Sequence, residues 1–341
     1  MSQDVNAPVG DAATAASPAG GLPAEPPASR PRPSPRAPWR QRLHHLDVKL
    51  SPYLYISPFF ILFLIVGMFP LVYTAYVSVF DWNLLGGKGE FIGLQNYRDV
   101  VANPYFVKSM VNTISIFLLS SVPQILVSMC LAGLLDTQLR GRTLWRMGVL
   151  LPFVVAPAAV AIIFGSLFGD RYGLINEAIG WVGIGPVQWH VDRLSSHIAI
   201  ATMVNWRWTG YNALILLAAM QTVPRDLYES AELDGAGRVR RFTSITIPMI
   251  RPSVVFVIIT STIGGLQIFA EPRLFDNTLA QNGGSDRQFG TMTMLIYDFG
   301  WHLRDLGRAS ATAWLLFLVI IVIALVNFAL VRRAGAHRGK R

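Results

Sequence analysis

The 341-residue sequence has one cysteine, six histidines and only 14% charged residues, against about 25% in a typical soluble domain. A single cysteine excludes an internal disulfide framework, and Cys130 sits in an apolar run where it reads as a small buried hydrophobe. No G-x-x-x-x-G-K-[ST] loop is present, so the usual cradle for ATP phosphates is missing. His44 and His45 stand together without further ligands at metal spacing, and no Ser, His and Asp constellation forms a recognisable motif. These gaps argue against a metal site, a cofactor and any catalytic residue, and so against an enzyme. What the chain does have is 52% hydrophobic residues, a mean hydropathy of +0.42 and a net charge of +9. That balance points to a membrane protein.

The exception is the N-terminus. Nine of the 21 prolines fall in residues 1–40, among Ala, Ser and Gly, and a segment so poor in apolar side chains cannot offset its ordering entropy. Residues 1–47 are therefore expected to form a disordered tail, closed by the basic residues Arg30, Arg32, Arg36, Arg40, Arg42 and Lys49. Because those charges stop at an apolar segment, anionic lipid suits them better than nucleic acid.

Six apolar segments follow, at 56–80, 110–135, 147–168, 198–223, 253–270 and 309–331. Each approaches the roughly 20 helical residues needed to cross a hydrocarbon layer. Five contain no charged residue, and the fourth contains only Arg207. An all-α protein of six transmembrane helices is expected, since a spanning segment must satisfy its own backbone hydrogen bonds and no alternating barrel code is present. The domain would cover residues 48–335, with a short basic tail at 336–341. Lys and Arg number 19 on the side that includes both termini and 9 on the other, which places both termini, and the 224–252 loop, in the cytoplasm.

That loop has a pattern of its own. Leu227, Tyr228, Ala231 and Leu233 give a short helix a partly apolar face, glycines 235 and 237 end it, and Val239, Phe242 and Ile245 form a second face up to Pro248. A helix-turn-helix with exposed apolar residues needs something to dock on. Its Glu229, Ser230 and Ala231, the Gly235 four residues on, and Ile245, Ile247 and Pro248 after nine more resemble the EAA signature of permease subunits in binding-protein-dependent ABC importers. Ser230 and Ile247 depart from the family's Ala and Leu by small changes. The likeness extends over residues 52–335. PYLYISPFF at 52–60, FDWN at 80–83, the GLxNY segment within 91–100, LLPFVVAP at 150–157, YGLIN at 172–176 and NGG at 282–284 are similar to the carbohydrate-uptake, maltose-type branch.

The resemblance implies a channel half that does no chemistry itself. Its partners would be a second homologous permease, two copies of an ATP-binding subunit, an extracytoplasmic solute-binding lipoprotein, a sugar and membrane lipid. Glu229, Ser230, Ala231, Asp234, Gly235, Ile245 and Pro248 would form the coupling element that seats in the ATP-binding subunit. The sugar pathway would use Asn205, Trp208 and Tyr211 of the fourth span with Thr260 and Gln267 of the fifth, because aromatic faces stack on sugar rings while amides and hydroxyls take sugar hydroxyls. Tyr97 and residues 282–287 would be candidates for receptor docking. QIFAEPRLFD at 267–276 is similar to permeases for cello-oligosaccharides or other glucosides. An ion-driven transporter would instead need acidic residues inside the spans, and a membrane enzyme would need a His and carboxylate cluster at one face.

Overall fold

The computed structural model describes residues 38–137, 140–276, 278 and 281–336, and the expectations for the rest of both tails fall outside it. The chain divides into two units at residue 63. The first contains α1 (Pro38–Leu62), which begins ten residues inside the segment expected to be a tail. Proline is well placed in a first turn because its missing N–H would be unpaired there anyway.

The second unit begins in a π-helical turn and continues with α2 (Phe69–Val77), β1 (Phe80–Asn83), β2 (Gly87–Phe91), α3 (Gln95–Ala102), α4 (Pro104–Leu135) and α5 (Arg142–Val154). Then come α6 (Pro157–Leu167), α7 (Leu174–Gly180), α8 (Arg193–Met220), α9 (Arg225–Leu233), α10 (Arg238–Arg241), α11 (Ile247–Met249) and α12 (Arg251–Leu266). It closes with α13 (Ala270–Phe275), α14 (Met292–Tyr297) and α15 (Leu306–Ala336). Three stretches, Leu50–Val77, Pro104–Leu135 and Leu306–Ala329, are long and apolar enough to cross a membrane, and two bent pairs add to them. α8 is less apolar but 28 residues long, about 42 Å at ~1.5 Å per residue.

Prolines 58, 70, 123, 152 and 157 are expected to kink or shorten the spans, and the bends show how far that goes. The segment at 147–168 is α5 and α6 meeting at 89°. Pro157 is the cause, since the residue before a proline is driven out of the helical region and Ala156 is extended at ψ 134°. The fifth segment ends early: α12 stops at Leu266, and residues 270–275 turn back as α13 to pack on α6 and α8. The helical expectation also omits a hairpin, in which Phe80 pairs with Phe91 and Trp82 with Lys88. Asn96 of α3 fixes it by donating to the carbonyls of Ser78 (2.9 Å) and Phe80 (2.8 Å), and Tyr97 shares a 2.8 Å bond with the Ser78 hydroxyl. The GLxNY segment therefore ties down a turn, and Tyr97 is half-buried rather than displayed.

The main seam joins α4 to α8. On α4 the buried positions are largely small or polar, including Ser109, Asn112, Thr113, Ser120, Ser121, Gln124 and Ser128. Its exposed positions are mostly apolar, among them Val107, Val111, Leu118, Val122, Leu126, Val127 and Leu134. Lipid is as apolar as leucine, so no hydrophobic force drives helices together inside it, and small residues with inter-helix hydrogen bonds take over. Ser128 donates to the Thr209 carbonyl at 2.8 Å, and Asn212 donates to the Ser261 hydroxyl at 3.0 Å. Cys130 lies on the exposed face with Leu126 and Leu134, not in the core as expected. α8 starts on Asp192, which accepts from the Ser195 hydroxyl (2.7 Å) and amide (3.0 Å); those bonds, the hydroxyl's first, hold its carboxyl below the usual value.

Where α5 crosses α8, Gly210 has no room for a side chain, since a Cβ there would stand 1.7 Å from the Val149 carbonyl oxygen. Gly210→Val is expected to cost about 3 kcal/mol or more through overpacking. Gly264→Ala, where a Cβ meets nothing within 4 Å, should leave the melting temperature in detergent nearly unchanged.

Candidate functional site

Two regions carry the residues singled out by the sequence. The first is the 224–252 segment. α9 ends in a Schellman cap: the Gly235 amide donates to the Glu232 carbonyl at 3.0 Å and the Ala236 amide to the Ala231 carbonyl at 2.8 Å. Gly235 makes this possible with φ +77°, a conformation that costs a residue with a Cβ about 1–2 kcal/mol. The chain then turns through Gly237 into α10, with Arg241 paired to Glu232 at 2.6 Å.

Contrary to the expected stop at Pro248, helix continues through a π-helical turn at 242–246 into α11 and bends by 73° only near Ile250. The wider turn ahead of Pro248 accommodates a ring that lacks an N–H and would crowd the carbonyl four residues back.

The segment has two faces. Tyr228, Phe242 and Ile245 join the cluster of Ala132, Leu135, Leu216, Leu217 and Met220, where α4 and α8 end, and Val257 of α12. Phe242 lies against Gly133 so closely that a Cβ there would stand 2.9 Å from its ring, and the Tyr228 hydroxyl bonds to Thr246 at 2.8 Å. Anchoring side chains of this size contribute on the order of 1–2 kcal/mol each. The other face displays Leu227, Glu229, Ser230, Asp234, Gly235, Leu233 at 90% exposure and Val239 at 77%, while Ala231 is half-buried. Leucine and valine displayed in this number are unusual on a segment that faces water.

The second region is a cavity of about 260 Å³ between α4, α8 and α12, lined by Ser121, Gln124, Trp208, Tyr211, Asn212, Thr260 and Ser261. Trp208 meets Tyr211 edge-on at 5.9 Å, and Phe153 stacks on Tyr211 at 4.5 Å. Of the five expected pathway residues, the structure brings Trp208, Tyr211 and Thr260 together. Asn205 lines a separate cavity of about 410 Å³ toward α5, one helical turn away and rotated off the Trp208 face. Gln267 is exposed at the end of α12 and lines neither, because the helix has already ended. Phe153, Ser121 and Gln124 went unnoticed in the sequence. The signal was there: polar residues at 121, 124 and 128 recur with helical spacing in a run otherwise apolar.

Arg207, the lone charge within a span, is buried and donates to Glu271 of α13 at 2.6 Å. It neither lines the cavity nor reaches an exposed surface, but its guanidinium lies 5.9 Å from the Trp208 ring. At the opposite end of α4, Asn112 donates to the carbonyls of Arg287 (2.9 Å) and Gly290 (3.0 Å). Asp276 accepts from the Gly283 and Gly284 amides at 2.8 Å each, and Arg287 pairs with Asp298 while lying over the Tyr105 ring. The 282–287 loop is thus held from below. Among the described residues no cluster of three or more His, Cys, Asp or Glu side chains could hold a metal ion.

A helical membrane bundle with a polar seam, an aromatic cavity and a displayed amphipathic hook has the parts of a transport channel. The binding-protein-dependent transport system inner membrane component family matches residues 102–336, and the chain belongs to it, as a permease component and not an enzyme. Among its relatives, the arabinooligosaccharides transport system permease protein of Halalkalibacterium halodurans is 32% identical over 82% of this chain and 87% of its own. The trehalose/maltose transport system permease protein of Thermococcus litoralis is 30% identical over 84% and 94%. The fold is shared with a bacterial ABC transporter involved in the import of the acidic polysaccharide alginate, at TM-score 0.70 and 22% identity over 86% of this chain and 99% of that one.

Removing one partner of a buried ion pair strands the other. Arg207→Met should lower stability by about 3–5 kcal/mol, and Arg207→Met with Glu271→Met should recover most of it. Thermal melts of the purified variants in detergent check both.

Proposed function

We propose that this chain is one half of the membrane channel of an ATP-driven sugar importer, and that the 224–252 segment is its grip on the ATP-binding subunits. The observation that carries the reading is the two-faced segment, with one face locked to the ends of α4 and α8 and the other displaying apolar side chains. A hook fixed to those helices passes a push on its outer face to the walls of the cavity. Ala231, Asp234 and Gly235 shape the hook, Glu229 and Ser230 lie on its displayed side, and Ile245 and Pro248 belong to its rooted arm. ATP binding would close the two nucleotide-binding subunits and swing the bundle outward.

The remaining partners are a second homologous permease, which supplies the facing wall of the conduit, and an extracytoplasmic solute-binding lipoprotein that delivers the sugar. A cavity smaller than the ~300–1,000 Å³ of a closed ligand site suits a half-conduit. The permeases for arabinooligosaccharides and trehalose/maltose among its relatives support a di- or oligosaccharide cargo. The excess of Lys and Arg on one side supports cytoplasmic termini and a cytoplasmic hook.

Gly235→Asp tests the reading. The variant keeps every spanning segment, so it should insert and assemble with its partner permease, yet sugar uptake should fall at least ten-fold because the cap that sets the hook's angle is lost. Uptake at the wild-type rate by a correctly assembled variant would contradict the coupling role.

A further inference from the structure

The cavity that the proposed pathway rests on has no charge of its own. Trp208 and Tyr211 offer ring faces, and Gln124, Asn212 and Ser261 offer neutral donors and acceptors. Neither cavity between the helices is lined by a Lys, Arg, Asp or Glu among the described residues. A cation stands just behind the lining: Arg207, on α8 one residue before Trp208, has its guanidinium 5.9 Å from that ring. Position 207 lies on the flank of the helix face that presents Val204, Trp208 and Tyr211 to the cavity. Left unpaired, that guanidinium would put a full positive charge behind the aromatic wall, in a medium too poor in water to screen it.

Glu271 prevents this. The carboxylate reaches Arg207 at 2.6 Å, both side chains are more than nine-tenths buried, and the pair carries no net charge. It is in place only because α12 ends at Leu266 and α13 folds back onto α8.

We propose that Glu271 is a specificity-determining residue: by closing an ion pair with Arg207 at the edge of the aromatic wall, it leaves the conduit without free charge and selects uncharged saccharides over anionic ones. An anionic sugar would shed its hydration on entering and find no free cation to replace it. A neutral sugar exchanges hydroxyl bonds with water for bonds to amides and hydroxyls at little cost. The inference rests on the pathway reading above.

The test measures binding of two trisaccharides of the same length and linkage, one neutral and one bearing uronate carboxylates, to the assembled importer held outward by a nonhydrolysable ATP analogue, without the receptor. Wild type is expected to favour the neutral sugar at least ten-fold. Glu271→Gln, which frees Arg207, should bring the two affinities within about two-fold, and Arg207→Gln with Glu271→Gln should restore the neutral preference. Should Glu271→Gln fail to assemble, Glu271→Asp, which keeps the charge but loosens the pair, is expected to narrow the gap part of the way. Equal binding of both sugars by wild type, or a gap unmoved in an assembled Glu271→Gln or Glu271→Asp variant, overturns the inference while leaving the pathway standing. Failure of wild type to bind either sugar overturns both.

Discussion

The structure depends on how helices hold together where there is no water to expel. In lipid, leucine gains little by turning inward, so α4 turns mostly serine, threonine, asparagine and glutamine toward α8 and leaves valines such as Val107, Val111 and Val122 outside, while α8 answers with alanines, Gly210 and Asn212 beside Ile200, Met203, Leu216 and Leu217. The small residues let backbones approach, as at Gly210 against Val149, and the polar ones supply the directional bonds that fix register. A cavity with polar walls follows from the same kind of contact, because Asn212 and Ser261, which join α8 to α12, also line the space between them.

That seam is also what makes the 224–252 segment mechanically useful. Phe242 nests on Gly133, and Tyr228 and Ile245 join the cluster formed by the last turns of α4 and α8. These two helices carry Gln124, Trp208 and Tyr211 further along their length, so the hook and the cavity share two stiff levers. The bent entry from α11 into α12 adds a third connection, since α12 contributes Thr260 and Ser261 to the same cavity.

Much of this was legible in the sequence, for reasons that differ by residue. Apolar length marked the straight helices, because spanning a bilayer sets a minimum run that composition alone reveals. Gly235 announced its turn, because only a residue without a Cβ takes φ +77° freely. The breaks were harder. Pro157 and Pro123 look alike in the sequence, yet one ends a helix and the other lies inside α4, a difference decided by the surrounding packing. Glu271 stands one residue past the fifth apolar segment; that it answers Arg207, 64 positions earlier, depends on a fold-back that hydropathy does not encode. Cys130 was misplaced by carrying a rule for soluble cores into lipid, where an apolar side chain is at home on the outside. Gln267 and Asn205 were grouped with Trp208 by position along the chain, but a helix end and a rotation of one turn separate them from it.

The central claim is that the displayed face of α9 is held by an ATP-binding subunit. The direct measurement is site-specific crosslinking from Ala231→Cys in the assembled importer, with cysteines placed across the surface of the ATPase. The account predicts a single crosslinked product of permease and ATPase whose yield changes when ATP is added. A residue 231 that never captures the ATPase, or that a membrane-impermeant thiol reagent labels from outside intact cells, would contradict it.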